Sequence, residues 1–216
     1  MRSLLRALTG STRRRRGAGQ AITELALITP LCLLLILGGY DVSLMGTDTA
    51  LTVAAVRHGA RLASELGGTN TDQISCTGTL AAGTSLASID RPIVQTVLAV
   101  TTNASYMGGN GAGYAPAGLP EEIDIYRPSQ TDGTIDTAND HYDEYVYTDN
   151  FKNRKIGPPP YLLSQRCQGP LPHETDIGVR MIWYYRPANG IPGPSFKMIE
   201  YAVEKIALCS DNCTPG

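Results

Sequence analysis

The chain has 216 residues, of which 42% are hydrophobic and 18% are charged, and its formal net charge is −2. Its 23 glycines and 14 prolines exceed the average share but stay below that of low-complexity chains. These values argue against wholesale disorder, a collagen-like repeat and a strongly basic nucleic-acid-binding protein, so we expect no nucleic acid as a partner.

The charges are unevenly distributed along the chain. Residues 1–23 contain six arginines and no acid, so residues 24–216 carry a net charge of −8. Thirteen of the fourteen aromatic residues lie beyond residue 100. The sequence therefore predicts a short basic N-terminus, an apolar element, and an acidic body rich in tyrosine.

Residues 25–40 form a run of sixteen residues without formal charge. Extended back to Gln20, this run would form a helix of about 32 Å, enough to cross a hydrocarbon core of ~30 Å. The extension includes Glu24, and an acid within a membrane segment is costly enough to indicate a function. Because the arginines precede the run and Asp41 follows it, we expect a cytoplasmic N-terminus, with residues 41–216 across the membrane.

Three interpretations of this apolar segment compete. A cleaved secretory signal fits the basic N-terminus, but the run is long for one and no clear Ala-x-Ala site follows it. A plain signal anchor explains every feature except Glu24. In the third interpretation, Glu24 is a functional residue of the segment, and the motif around it is described below.

The helix is expected to continue beyond the membrane. Residues 41–66 lack proline, and their apolar residues recur at spacings of three, four and seven, which indicates one helix face. The glycine pair at residues 67–68 is a natural C-terminal stop. We therefore predict one continuous helix over residues 20–66.

Residues 19–24, Gly-Gln-Ala-Ile-Thr-Glu, follow the arginines and precede the apolar helix. This arrangement resembles the type IV prepilin signal. The wider stretch, residues 16–31, is similar to the TadE-like family of pseudopilins from tight-adherence (Flp) pilus systems. Members of that family combine Gly-Gln-Ala, an acid before an apolar residue and Ala-Leu, then a proline and a leucine-rich run. The alanine-rich segment with Gly-Ala-Arg at residues 54–63 also resembles the end of the family's helix.

The resemblance implies a processing step and a location. A prepilin peptidase would cut between Gly19 and Gln20, removing residues 1–19 as a leader and leaving Glu24 as the fifth mature residue. The implied location is the bacterial inner membrane, followed by the pilus or cell surface. The implied partners are the peptidase, other pilin and pseudopilin subunits, the inner-membrane assembly platform and membrane lipid.

The chemistry of the motif is consistent with these roles. Gly19 offers a peptidase an unhindered backbone, because it has no side chain. Cleavage would create a positive α-amino group on Gln20, which Glu24 of a neighbouring subunit would neutralise within a helical bundle. Pro30 removes one helical hydrogen bond and is expected to kink the helix, while the Thr29 hydroxyl helps to satisfy the freed backbone.

Residues 67–216 are predicted to form an exported α+β head with a small antiparallel sheet. A second helix is expected over residues 86–100, with Arg91 and Pro92 in its first turn, although the end of this segment could also be a strand. Alternating residues predict short strands. They are Ile123–Ile125, Tyr145–Tyr147, Gly178–Tyr185 and Tyr201–Leu208, the last two forming an antiparallel hairpin with a long loop.

The cysteines divide by position. Cys32 lies in the apolar run and reads as a small apolar residue. The other four lie on the exported side, where disulfides form, and they allow three pairings. Zinc is the competing interpretation, but no Cys-x-x-Cys pair is present, so we expect no metal. These disulfide candidates are Cys76, Cys167, Cys209 and Cys213.

Six acids within residues 132–149 form an acidic stretch, for which a solvated loop and a calcium site are the two interpretations. The tyrosines inside this stretch are read as packed strand residues, with a contact surface as the alternative. The acids are Asp132, Asp136, Asp140, Asp143, Glu144 and Asp149, and the tyrosines are Tyr142, Tyr145 and Tyr147.

The sequence contains no catalytic or phosphate-loop motif. We therefore expect a protein that is not an enzyme and that needs no cofactor: a TadE-like minor pilin or pseudopilin that helps to assemble, initiate or cap a pilus. The alternative is an uncleaved, single-pass envelope or binding protein. A secreted hydrolase has little support.

Overall fold

A computed structural model describes the chain in segments. They comprise residues 11–68, 86–104, 107–108, 115–129, 131–135, 141–155, 159–161, 166, 176–187 and 195–206. The helices are α1 (Ser11–Gly68) and α2 (Leu86–Thr101), and the strands are β1 (Glu122–Tyr126), β2 (Tyr142–Val146), β3 (Asp176–Tyr185) and β4 (Phe196–Lys205). A 3₁₀ turn covers Tyr147–Asp149.

The chain divides into two compact units, Met1–Ser43 and Leu44–Gly216. The boundary falls within α1, so each unit contains a part of that helix. Helix α1 includes all of the predicted range 20–66 and begins nine residues earlier, at Ser11.

In the first unit, the apolar side chains of α1 are exposed. Ten leucines and isoleucines between residues 22 and 37 have exposed fractions of 48–77%. By length and composition, Gly19–Leu66 contains a stretch apolar enough to cross a membrane. Each such side chain gains roughly 1.5–3 kcal/mol when it is fully removed from water, so this surface requires an apolar environment.

In the second unit, α1 buries a face of small residues. Ala55, Ala60 and Ala63 are at most 1% exposed. A Cβ atom added at Gly59 would lie only 2.6 Å from Cγ2 of Val97 on α2 and 3.6 Å from a methyl of β3. Small side chains thus let α1 approach both α2 and the sheet closely. The alanine- and glycine-rich pattern at residues 54–63 has this packing as its physical reason.

Helix α2 confirms the prediction of a second helix and excludes the alternative of a strand at its end. The placement of Arg91 and Pro92 in the first turn was wrong, because the helix begins at Leu86 and Pro92 lies inside it. Proline's fixed φ suits a helix, and its missing N–H costs only one hydrogen bond near the start. Ile93, Val94 and Val97 are buried, as their helical spacing predicts.

The four strands form one antiparallel sheet in the order β2-β1-β3-β4. The predicted α+β class is therefore confirmed, as is the antiparallel pairing of the last two strands. The boundaries differ from the prediction: Tyr147 belongs to the 3₁₀ turn, and β4 begins at Phe196 and ends at Lys205. Residues 207–208 of the predicted last strand lie outside the described residues.

One face of the sheet packs against the helices, and the other is partly covered by residues 127–129 and 131–135. Ile123, Val179 and Met181 join the small residues of α1 in one buried apolar cluster. On the opposite face, the Tyr126 ring crosses Gly178, where an added Cβ would lie 2.3 Å from the ring. The Tyr126 hydroxyl donates to the carbonyl of Gly133 at 2.8 Å, which fixes the covering loop.

The two edges of the sheet differ. Along β2, the main chain makes three hydrogen bonds with residues 151, 155 and 159. Phe151 N–H donates to Val146 O, Lys155 N–H donates to Glu144 O, and Tyr142 N–H donates to Pro159 O. Strand β4 pairs with β3 along its whole length. No main-chain hydrogen bond between described residues reaches the other edge of β4.

Candidate processing site and polar clusters

The predicted scissile bond lies on the exposed surface of α1. Gly19 and Gln20 are both exposed, and no atom outside the helix backbone lies within 4 Å of the position that a Gly19 Cβ would take. The Thr23 hydroxyl donates to the carbonyls of Gln20 at 2.8 Å and Gly19 at 3.2 Å. A protease would have to open this turn, and glycine lowers that barrier because it is a poor helix former.

Glu24 lies one turn after the predicted scissile bond. Its Oε1 accepts a hydrogen bond from Nε2 of Gln20 at 3.0 Å, and both residues are exposed. Gln20 and Glu24 of one chain are thus neighbours on one helix face, whereas the predicted pairing joins the Gln20 terminus of one subunit to Glu24 of another. A carboxylate exposed beside leucine and isoleucine side chains is placed to attract a positive group from another chain.

Pro30 lies inside α1, and the helix continues beyond it to Gly68. The Thr29 hydroxyl donates to the carbonyl of Leu25 at 2.7 Å. The carbonyl that loses its helical donor through Pro30 belongs to Ala26. Thr29 therefore bonds the adjacent carbonyl rather than the freed one, which differs from its predicted role.

The head contains a buried ionic cluster that the sequence did not reveal. The Arg166 guanidinium is 2% exposed and donates to Asp90 Oδ1 at 2.5 Å and Asp143 Oδ2 at 2.6 Å. The Tyr145 hydroxyl donates to Asp90 Oδ2 at 2.7 Å, and Arg154 pairs with Asp143 from the partly exposed side. The cluster joins α2 and β2 to Arg154 and Arg166.

Burial and charge compete within this cluster. Burial raises the pKa of Asp143 to about 6, although Arg166 and Arg154 act against the shift. Burial alone would lower the pKa of Arg166, but Asp90 and Asp143 raise it overall. Buried charges of this kind are tolerated only when they are paired and hydrogen-bonded, so each partner fixes the position of the others.

One signal for this cluster was present in the sequence. Asp90 precedes Ile93, Val94 and Val97 by three, four and seven residues, so it belongs to the same buried face of α2. An acid on an apolar helix face requires a partner. Nothing local identifies Arg166 as that partner, because it lies 76 residues away.

A second polar cluster lies on the opposite face of the sheet. Arg180 of β3 donates to Asp124 at 2.6 Å and Glu122 at 2.8 Å, both on β1. Its guanidinium lies 6.0 Å from the ring centre of Tyr142. Burial raises the pKa of Asp124 well above its usual range, against the effect of Arg180. This cluster joins three strands and holds the register of the sheet.

The interpretation of the acidic stretch as a solvated loop holds for Asp132, which is exposed in a turn, but not for the acids of β2. Asp143 and Glu144 lie buried on β2, and Lys155 pairs with Glu144 at 2.6 Å. The loop interpretation failed for these two acids because cations from residues 154, 155 and 166 balance them. Within the described parts of the chain, no three acidic, histidine or cysteine side chains form a group suited to a metal ion. Asp136 and Asp140 lie outside those parts.

Tyr142 and Tyr145 of β2 follow the interpretation as packed strand residues, whereas Tyr147 lies in the 3₁₀ turn. Tyr145 is 1% exposed and bonds Asp90 across the core, while Tyr142 and Tyr147 are half-buried. Cys32 is a free, exposed cysteine on α1. The four disulfide candidates lie outside the described residues. They are Cys76, Cys167, Cys209 and Cys213.

Comparison with known proteins identifies the N-terminal segment. Residues 19–61 match the model of the family described as TadE-like protein. The match begins at the predicted cleavage site and ends within the small-residue face of α1, so it confirms the resemblance seen in the sequence. No curated protein and no solved structure matches the chain.

Proposed function

We propose that the chain is a minor pilin or pseudopilin of a tight-adherence pilus, processed by a prepilin peptidase between Gly19 and Gln20. Its leader, residues 1–19, directs insertion with a cytoplasmic N-terminus and is then removed. The segment 20–66 serves as a membrane and assembly helix, and residues 67–216 form the head outside the inner membrane.

The observation that carries this proposal is the family match over residues 19–61. The surface chemistry of the same segment supports it. Its leucines and isoleucines are exposed along the helix, and such a surface is stable in lipid or against other apolar helices. A pilin encounters lipid before assembly and the apolar helices of other subunits after it, because it moves from a membrane into a bundle of subunits.

Glu24 acts in assembly within this proposal. After cleavage, the α-amino group of Gln20 carries a positive charge at the end of an apolar helix. Glu24 of a neighbouring subunit neutralises that charge, and the distance between the two groups sets the axial register of subunits. In the present structure the Glu24 carboxylate accepts a hydrogen bond from the Gln20 side chain of its own chain at 3.0 Å. The pairing between subunits would replace this exposed bond.

The test is to replace Glu24 by alanine in the bacterium that makes the protein. We expect normal cleavage but strongly reduced recovery in the sheared pilus fraction, because an unpaired charge in an apolar bundle is costly. Glu65→Ala is the matched control, since Glu65 is an exposed acid on the same helix. Normal incorporation of Glu24→Ala would show that Glu24 has no role in assembly.

A further inference from the structure

The outer edge of β4, which no main-chain hydrogen bond from the described residues reaches, has the features of a docking surface. Its strand is ten residues long, twice the length of β2, whose own edge makes hydrogen bonds with residues 151, 155 and 159. Three apolar side chains on its outer face, Ile199, Tyr201 and Val203, are 38–42% exposed. Long, partly apolar edge strands tend to pair with another chain unless they are protected.

A groove of about 350 Å³ runs beside this edge, between α1 and β4. Ala50 and Ala54 line it, followed along the helix by Arg57, His58 and Arg61, with Glu204 on the strand side. Because α1 packs on this face of the sheet, a strand added next to β4 would point alternate side chains towards the groove. The groove therefore has room for side chains and presents cations to them.

The charged side chains in the groove and on the neighbouring part of β4 are complementary. Arg57 is exposed and forms no ion pair with any described residue. Glu200 lies half-buried on β4, on the face that points towards α1, because it pairs with the core residue Met181. Burial raises the pKa of Glu200, and no cation within the described chain opposes that shift. Each of these groups lacks the partner that the other would provide.

We propose that a second copy of this chain docks along the free edge of β4, antiparallel, and forms a continuous eight-stranded sheet across a two-fold axis. Glu200 of each copy then faces Arg57 of the other across the groove. One chain carries both complementary groups, so the surface matches itself, as a two-fold interface requires. This self-complementarity favours a second copy over an unrelated strand.

Side-chain pairing selects the register. Residues directly opposite each other must lie on the same face, so their numbers must have an even sum. Aligning Tyr201 with the partner's Tyr201 sets Ile199 opposite the partner's Val203, which joins the exposed apolar side chains. The same register sets Lys197 opposite the partner's Lys205 at both ends. This like-charge contact weakens the pairing and keeps it reversible.

The first test uses two differently tagged full-length copies in one membrane. A photoreactive benzoylphenylalanine replaces Tyr201 in both copies, and the control carries it at Lys152, an exposed residue beside the covered edge of β2. We expect a covalent product that carries both tags at position 201 and none above background at position 152. Absence of the two-tag product at position 201, or crosslinking only to a different protein, would overturn the proposal.

The second test reverses the charges. Glu200→Arg and Arg57→Glu should each lower the two-tag yield by about fivefold, since each dimer loses two partly exposed ion pairs. The double variant should restore the yield. A yield that stays low in the double variant, while the fluorescence of buried Trp183 shows an intact head, would refute the pairing of Arg57 with Glu200.

Discussion

The two parts of helix α1 differ in which side chains they expose and which they bury. In the first unit, up to Ser43, large apolar side chains are exposed and no described side chain is buried. In the second unit, from Leu44, small residues are buried against α2 and β3. One continuous helix thus carries a stretch of exposed large apolar side chains and a stretch of small residues packed into its own head. Residue size, rather than polarity alone, separates the two.

Features that depend on local sequence patterns could be predicted, whereas contacts between residues far apart in the sequence could not. The long helix, α2 and parts of all four strands followed from periodicity, and the processing motif followed from a local pattern of residues 16–31. The buried ionic cluster did not, because Asp90 and Arg166 meet only through the fold. Asp143 and Glu144 resembled a loop because adjacent acids are usually solvated, and their cations lie 11 or more residues away. The start of β4 was missed because this strand is mostly exposed and carries charges that mask its alternation.

The largest loss of stability is expected from a substitution in the buried ionic cluster of the head. Arg166→Ala should destabilise the head by about 3–5 kcal/mol, because it leaves Asp90 and Asp143 buried with too little positive charge. Denaturant unfolding of the full chain in detergent, followed by Trp183 fluorescence, measures this change. Arg61→Ala removes a pair whose side chains are 76% and 54% exposed, and should change stability by at most about 0.5 kcal/mol. Equal effects of the two variants would contradict the role given to burial.

A smaller effect is expected for two glycines of α1. Gly59→Ala should destabilise the head by about 1–3 kcal/mol, because the new methyl overlaps the Val97 side chain. Gly46→Ala should be neutral or stabilise the helix by up to about 1 kcal/mol, because open space surrounds Gly46 and alanine favours a helix. The same unfolding measurement compares them. A stabilising Gly59→Ala would show that α1 does not pack closely on α2.

The last expected effect is a dependence of the stability of the head on pH. The pKa of Asp143 is about 6 in the folded head and about 3.9 when unfolded, so the folded state binds this proton more tightly. The contribution of Asp143 to stability is therefore fully present below about pH 4 and is lost as the pH rises through 6. Asp132 provides the contrast, because hydrogen bonds from Thr134 lower its pKa.

Carboxyl-carbon NMR titration of both residues checks this prediction. We expect Asp143 to titrate near pH 6 and Asp132 below its usual range. A midpoint of Asp143 below 4 would mean that Arg166 and Arg154 outweigh burial in the cluster.

The proposal of a processed pilin is tested most directly by the N-terminal residue of the protein recovered from bacterial membranes or pili. Mass spectrometry of the N-terminal peptide should identify Gln20 in the wild type. Gly19→Leu should leave the full-length precursor, whereas Gly38→Leu, the same change at another exposed glycine of α1, should still be cut. An intact basic N-terminus in the wild type, or a soluble form that begins beyond Tyr40, would contradict the proposed function.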